Sequence, residues 1–202
     1  MISILPGAND ALSPEDVRRN ERSFENCRYC LVQTEIPMET VQTVCSLARA
    51  HGTKTILKPS ACRKLPDALL KDVDILVPNL DEMNELRPQG TLREKAQYFL
   101  DHGIKTVIVT LGPDGSYVKT ADLDMQFPAG HFQSIDNTGA GDAFICALAV
   151  YLQNGYSLEQ TVRIATCAAG FSITREGVSN ALVDKGTLES YLSQKYPELL
   201  GE

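Results

Sequence analysis

The residues of clearest chemical potential are Asp136-Asn137-Thr138-Gly139-Ala140-Gly141-Asp142. Gly139, Ala140 and Gly141 open an apolar, alanine-rich run, where backbone N–H groups can approach an anion closely and the dipole of a following helix favours negative charge. Asp142 falls in the first turn of that helix. A proton acceptor and a place for developing negative charge thus share one short segment, as phosphoryl transfer to a hydroxyl requires. An aspartate there also suits an N-cap with helix-dipole complementarity, and the glycines alone support either reading.

Three further segments carry weaker signals. Thr110-Leu111-Gly112-Pro113-Asp114-Gly115 follows an apolar strand directly, placing a hydroxyl and open backbone at its carboxyl end, although Pro113-Asp114-Gly115 fits a hairpin turn equally well. In Pro78-Asn79-Leu80-Asp81-Glu82 the proline ends a strand, and Asn79 and Glu82 share a helix face. The Glu82 carboxylate suits a hydrated Mg²⁺, which takes a few protein oxygens plus substrate phosphates, and the same pair fits a capping box. Glu35, in Gln33-Thr34-Glu35-Ile36-Pro37, ends another strand, where it can accept bonds from sugar hydroxyls or stand solvated. His51, His102 and His131 lack a Ser or Cys partner motif and are assigned no catalytic role.

Positioning these residues needs a layered frame, and the apolar pattern supplies one. Short β-rich runs alternate with amphipathic segments: Ile2–Leu5 then Pro14–Ser23, Tyr29–Gln33 then Met38–Ala50, and Thr53–Leu57 then Pro66–Leu70. Asp74–Val77 follows, then helical Asn79–Leu86 and Leu92–Asp101, then Lys105–Leu111, whose Thr-Val-Ile-Val-Thr core predicts a strand buried on both faces. Gly52 and Gly103 sit where helices should stop. From Gly115 to Gln133 the texture predicts antiparallel strands at the sheet edge, and Ala140–Tyr151, Leu158–Ile173 and Thr187–Gln194 predict closing helices. The class is α/β, a doubly wound, mostly parallel sheet flanked by helices, in which ligands bind outside the carboxyl ends of the strands.

Composition narrows the partners. A chain of 202 residues, 43% hydrophobic and 22% charged, can bury one domain's core, and a net charge of −7 argues against a nucleic-acid surface. No apolar run approaches bilayer-spanning length and Met1-Ile2-Ser3-Ile4-Leu5-Pro6 is too short and uncharged for a signal peptide, so the expected compartment is the cytoplasm. Cys27, Cys30, Cys45, Cys62, Cys146 and Cys167 suit reduced thiols better than a disulfide framework. Only Cys27-Arg28-Tyr29-Cys30 has metal or redox spacing, without a second pair or histidines in range.

Taken in order, Pro6-Gly7-Ala8-Asn9, Gln33–Pro37, Pro78–Glu82, Thr110-Leu111-Gly112 with Gly115, and Asp136–Asp142 resemble the ribokinase-like (PfkB) carbohydrate kinases over essentially the whole chain. The resemblance implies an ATP-dependent sugar kinase, with Asp142 as base and the N–H groups of Gly139, Ala140 and Gly141 as the anion hole for the γ-phosphoryl. It gives Asn79 and Glu82 to the ATP phosphates and Mg²⁺. Thr110, Gly112, Gly115 and Gly141 would line the nucleotide, and Thr166 stands where the family usually has Asn or His beside adenine. Glu35 matches the sugar-side glutamate. A monovalent cation, usually K⁺, would be held by the side chain of Asp136 and backbone carbonyls of Thr138, Ser172, Arg175 and Gly177.

Several positions depart from the family pattern: Asn137 replaces a Thr- or Ser-like residue, Cys146 a smaller one, and Ala181 a serine of the cation loop. The resemblance also implies that the chain begins at a strand well inside a family member. The part carrying the opening strand, the Gly-Gly motif and the lid over the sugar, which often makes a homodimer, would then be absent, and a catalytically inactive nucleotide-binding remnant is the alternative. Pro6-Gly7-Ala8-Asn9 and Glu35 favour ribose over fructose 6-phosphate or a nucleoside. A Rossmann dehydrogenase is disfavoured, since no Gly-x-Gly-x-x-Gly follows the first strand.

Overall fold

The computed structural model describes residues 5–60 and 64–201, so most of the strand expected at Ile2–Leu5, and Cys62, lie outside the described residues. The βα alternation read from the periodicity is realised. β1 (Tyr29–Gln33), α2 (Met38–Ala50) and β2 (Lys54–Lys58) follow α1 (Pro14–Arg19), and then come α3 (Asp67–Leu70), β3 (Ile75–Leu76), α4 (Leu80–Leu86), α5 (Leu92–Asp101) and β4 (Thr106–Thr110). The hairpin strands β5 (Ser116–Lys119) and β6 (Asp124–Phe127) precede the long helices α6 (Ala140–Gln153), α7 (Leu158–Ser172) and α8 (Lys185–Lys195).

These six strands form one sheet in chain order, and β1 through β4 pair in parallel. The connections on either side of β5 are far too short for a parallel crossover, so the edge is antiparallel as expected. The result is a mixed sheet flanked by helices.

Local chemistry explains most boundaries. Asn79, Thr91 and Ser157 each close a capping box with the residue three positions on. Gly52 and Gly103 take positive φ just after α2 and α5. The expected helix Pro14–Ser23 is shorter. It stops at Arg19 because the Asn20 side chain donates to the Asp16 carbonyl at 2.8 Å, and a 3₁₀ turn, Glu21–Phe24, follows. A carbonyl left over by the last turn is thereby satisfied.

The described residues fall into two compact units, one drawn from the described part of 1–109 with 118–124 and the other from 110–117 with the described part of 125–202. The core of the first joins Val41, Cys45 and Ala48 of α2 to Ile56, Leu57, Leu76 and Ile108 of the strands, all fully buried. In the second, α6 and α7 pack together, and Tyr151, Ile164, Cys167, Leu188 and Leu192 form a continuous apolar cluster. Each large aliphatic side chain removed from water contributes about 1.5–3 kcal/mol.

Candidate functional site

In the first unit, Gln33 pairs with Lys58 and Leu57 with Leu76 in parallel register, so the segments leaving β1, β2 and β3 emerge at one sheet edge. Pro78 ends the third of these and Asn79 caps α4. The Asn79 Oδ1 accepts from the Glu82 N–H at 2.7 Å, and the Glu82 Oε2 accepts from the Asn79 N–H at 2.8 Å. The capping box is therefore formed, and the two residues share a face as expected. Glu82 has a further partner that the sequence reading did not name: Lys58 Nζ donates to its Oε1 at 2.8 Å and to Ser60 Oγ at 3.1 Å.

The Lys58 and Glu82 side chains are only 15% and 14% exposed. Little water screens the pair, which strengthens the attraction. Thr34 Oγ1 donates to the Ser60 carbonyl at 2.5 Å and the Thr34 N–H to the Lys58 carbonyl at 3.3 Å, fixing the segment before Glu35 against the end of β2. Glu35 itself is exposed. The signal for Lys58 lay in its place, since a lysine closing the apolar strand Thr55-Ile56-Leu57 sits at a carboxyl edge.

The second unit carries the glycine segments. After Thr110 ends β4, Gly112–Asp114 forms a 3₁₀ turn, closed by the Leu111 N–H donating to the Gly115 carbonyl at 2.8 Å. The hairpin-turn reading of Pro113-Asp114-Gly115 is thus realised. Gly115 has φ +87°, and a Cβ there would stand 1.9 Å from the Phe127 carbonyl oxygen, so this position demands glycine for conformation and for space.

Gly139, at φ +81° and ψ −2°, is the left-handed residue that turns the chain into α6. A Cβ on it would meet Val178 Cγ1 at 2.9 Å. The helix starts at Ala140, so the N–H groups of its first turn have no acceptor inside the helix. That of Ala140 makes a long turn bond, 3.3 Å, to the Asn137 carbonyl. Asp142 is exposed in this first turn, while Ala143 and Phe144 beside it are buried and fix the helix rotation. Cys146 is exposed one turn further on.

Asp136 is the fixed point of the loop before α6. Its Oδ1 accepts from the Thr138 hydroxyl at 2.7 Å and the Thr138 N–H at 2.9 Å, and its Oδ2 from the Gly177 N–H at 3.1 Å. Those bonds, the Thr138 hydroxyl foremost, hold its carboxyl below the usual carboxylate range. Asp136, Thr138 and Gly177 are thus brought together, and the Ile135 N–H donates to the Ile173 carbonyl at 2.7 Å. Ser172 is buried with its hydroxyl donating to the Ala169 carbonyl at 2.8 Å, whereas Arg175 is exposed. Arg175 and Ala181 line a cavity of about 30 Å³ with Phe171, Asp184 and Thr187. Within α7, Thr166 donates its hydroxyl to the Val162 carbonyl at 2.8 Å, which leaves its oxygen lone pairs for other contacts.

A group whose folded value is depressed contributes its stabilisation above the unfolded value, and loses it as the pH falls through the folded one. Amide protection at Thr138 and Gly177 is therefore expected to persist at neutral pH and to collapse on acidification below about pH 4. Hydrogen exchange across that range checks it. Asp136→Ala should show the same two amides exchanging fast already at pH 7.

The described cysteines Cys27, Cys30, Cys45, Cys146 and Cys167 form no disulfide. Burial pushes the Cys30 and Cys167 thiols up to about 11 and that of Cys45 to about 12, away from thiolate chemistry. Among the described residues, no group of three or more His, Cys, Asp and Glu side chains could hold a metal ion, and no helix is long and apolar enough to cross a membrane.

The second unit thus opens α6 on a left-handed glycine, Gly139, with an acid, Asp142, in the helix's first turn. The pfkB family carbohydrate kinase model matches residues 1–185, and the chain belongs to that family. It is 31% identical over 187 residues to a ribokinase of Staphylococcus aureus, covering 90% of this chain and 62% of the relative. It is 34% identical over 199 residues to a deoxyribokinase of Salmonella typhi, covering 95% and 65%. Among solved structures it matches that of Arabidopsis thaliana ribokinase complexed with ribose and ATP, with a TM-score of 0.84 at 29% identity, over 95% of this chain and 64% of that one. The chain thus spans less than two thirds of the length of these relatives.

Proposed function

We propose that this chain is one PfkB-type kinase domain that transfers the γ-phosphoryl of ATP to a sugar hydroxyl in the cytoplasm. The observation that carries this reading is the start of α6, where left-handed Gly139 presents first-turn N–H groups and exposed Asp142 stands within the same turn. Asp142 takes the hydroxyl proton, the sugar oxygen forms a bond to the γ-phosphorus, and the bond to the β–γ bridging oxygen breaks to release ADP. The N–H groups of Gly139, Ala140 and Gly141 stabilise the charge that develops on the phosphoryl oxygens, as oriented donors do for anionic transition states.

Further roles are carried over from the family resemblance. Thr110, Gly112, Gly115 and Gly141 serve the nucleotide, with Thr166 on the adenine side and Asn79 toward the phosphates. Glu35 serves the sugar, with ribose or deoxyribose the first candidates on the strength of the relatives. Asp136, with carbonyls of Thr138, Ser172, Arg175 and Gly177, would hold a monovalent cation. Magnesium, where it accompanies ATP, neutralises phosphate charge. Each oxygen of Glu82 accepts one hydrogen bond, and no step is assigned to a metal on that carboxylate.

The test is a pair of measurements on the chain as it stands. Calorimetric titration with a non-hydrolysable ATP analogue is expected to show saturable binding, and incubation with ATP and ribose or deoxyribose to yield phosphorylated sugar. Binding without phosphorylation of any sugar would instead favour an inactive nucleotide-binding chain, and no binding would remove the kinase reading for it.

A further inference from the structure

The Lys58–Glu82 pair is the feature the proposed chemistry leaves unused. It joins positions 24 residues apart across two strand ends, at 2.8 Å, with both side chains largely buried. The other Glu82 oxygen is occupied by the Asn79 N–H. A carboxylate in the first turn of α4, at the carboxyl edge of a parallel sheet, would ordinarily be the group available to a hard cation. Here an ammonium of the same chain already stands against it.

We propose that Lys58 is a built-in counter-ion that masks Glu82 from divalent metal, and that it thereby sets how this chain responds to Mg²⁺. The proposal deepens the kinase reading by assigning its metal response, but it rests on contacts within one unit and is testable without turnover. Lysine is suited to the task because its ammonium is a compact point charge that rests at a single carboxylate oxygen, and Ser60 Oγ orients it. Removing that charge leaves a largely buried carboxylate uncompensated, which raises its demand for another cation.

The experiment is Mn²⁺ titration followed by electron paramagnetic resonance, on the full chain, without nucleotide and again with the non-hydrolysable ATP analogue. Lys58→Met is expected to bind Mn²⁺ about tenfold tighter than the parent without nucleotide, the scale on which one close charge acts on a carboxylate. The double variant Lys58→Met, Glu82→Gln should lose that gain. Glu82→Gln alone, which keeps the capping box because glutamine serves at the same position, should leave Mn²⁺ binding unchanged. Circular dichroism establishes that each variant is folded.

Equal Mn²⁺ affinity in Lys58→Met and the parent overturns the proposal, as does a gain that survives in the double variant. Weaker Mn²⁺ binding in Glu82→Gln alone also overturns it, since Glu82 would then already face the metal; this arm stands if Lys58→Met fails to fold. Failure of the ATP analogue to bind would remove the kinase reading and leave the nucleotide-free Mn²⁺ comparison intact.

Discussion

Asp142→Asn is expected to lower phosphoryl transfer by about 10²–10⁴-fold, the range general-base catalysis supplies, while affinity for a non-hydrolysable ATP analogue stays roughly unchanged. The division follows from where the groups lie. Nucleotide phosphate would be met by backbone N–H groups at the start of α6, which depend on the left-handed turn at Gly139 and on the buried Ala143 and Phe144. None of these is altered by replacing one oxygen of the exposed Asp142 with an amide. What is lost is the proton acceptor. A variant retaining parental turnover would remove Asp142 from its role as base. A variant that also lost the analogue would show that the side chain shapes the anion site itself.

The largest expected effect on stability comes from Gly115→Ala. The native φ of +87° is strained for alanine, and the new Cβ would stand 1.9 Å from the Phe127 carbonyl oxygen and 2.7 Å from the Ala129 nitrogen, both backbone atoms of this unit. Backbone has little room to yield. A loss of about 3 kcal/mol or more is expected, which for a chain of this size lowers the thermal midpoint by roughly 6–12 °C.

Gly112→Ala is the matched control. It shares a positive φ, +59°, but a Cβ there meets nothing within 4 Å, so only conformational strain of about 1–2 kcal/mol remains. Calorimetry of the two variants separates conformation from collision. Equal midpoints would show that the approach of Phe127 to Gly115 carries no energetic weight. A large loss in Gly115→Ala also bears on function, since the turn that would carry nucleotide contacts is then built on close backbone packing.

The sequence by itself determined whatever depends on near neighbours. The apolar periodicities placed α2, α5 and β1 at their observed bounds, because amphipathic alternation reflects burial on one face. Asn79 with Glu82 was legible as a capping box because three residues of helix bring the two groups together unaided. The glycine turn into α6, with Asp142 behind it, was legible for the same reason. The α/β class followed from the order of these pieces.

Tertiary structure decided what those groups face. Lys58 reaches Glu82 only because β2 and β3 lie side by side in register, so the carboxylate in the first turn of α4 is met by an ammonium from the end of β2. Gly177 donates to Asp136 across 41 residues, turning a candidate cation ligand into a clamp that also holds its own loop. Gly115 is required less by its turn than by the Phe127 carbonyl packed against it. Periodicity and short-range hydrogen bonds are written into adjacent residues, whereas charge pairing and close packing between distant segments exist only once the chain has folded.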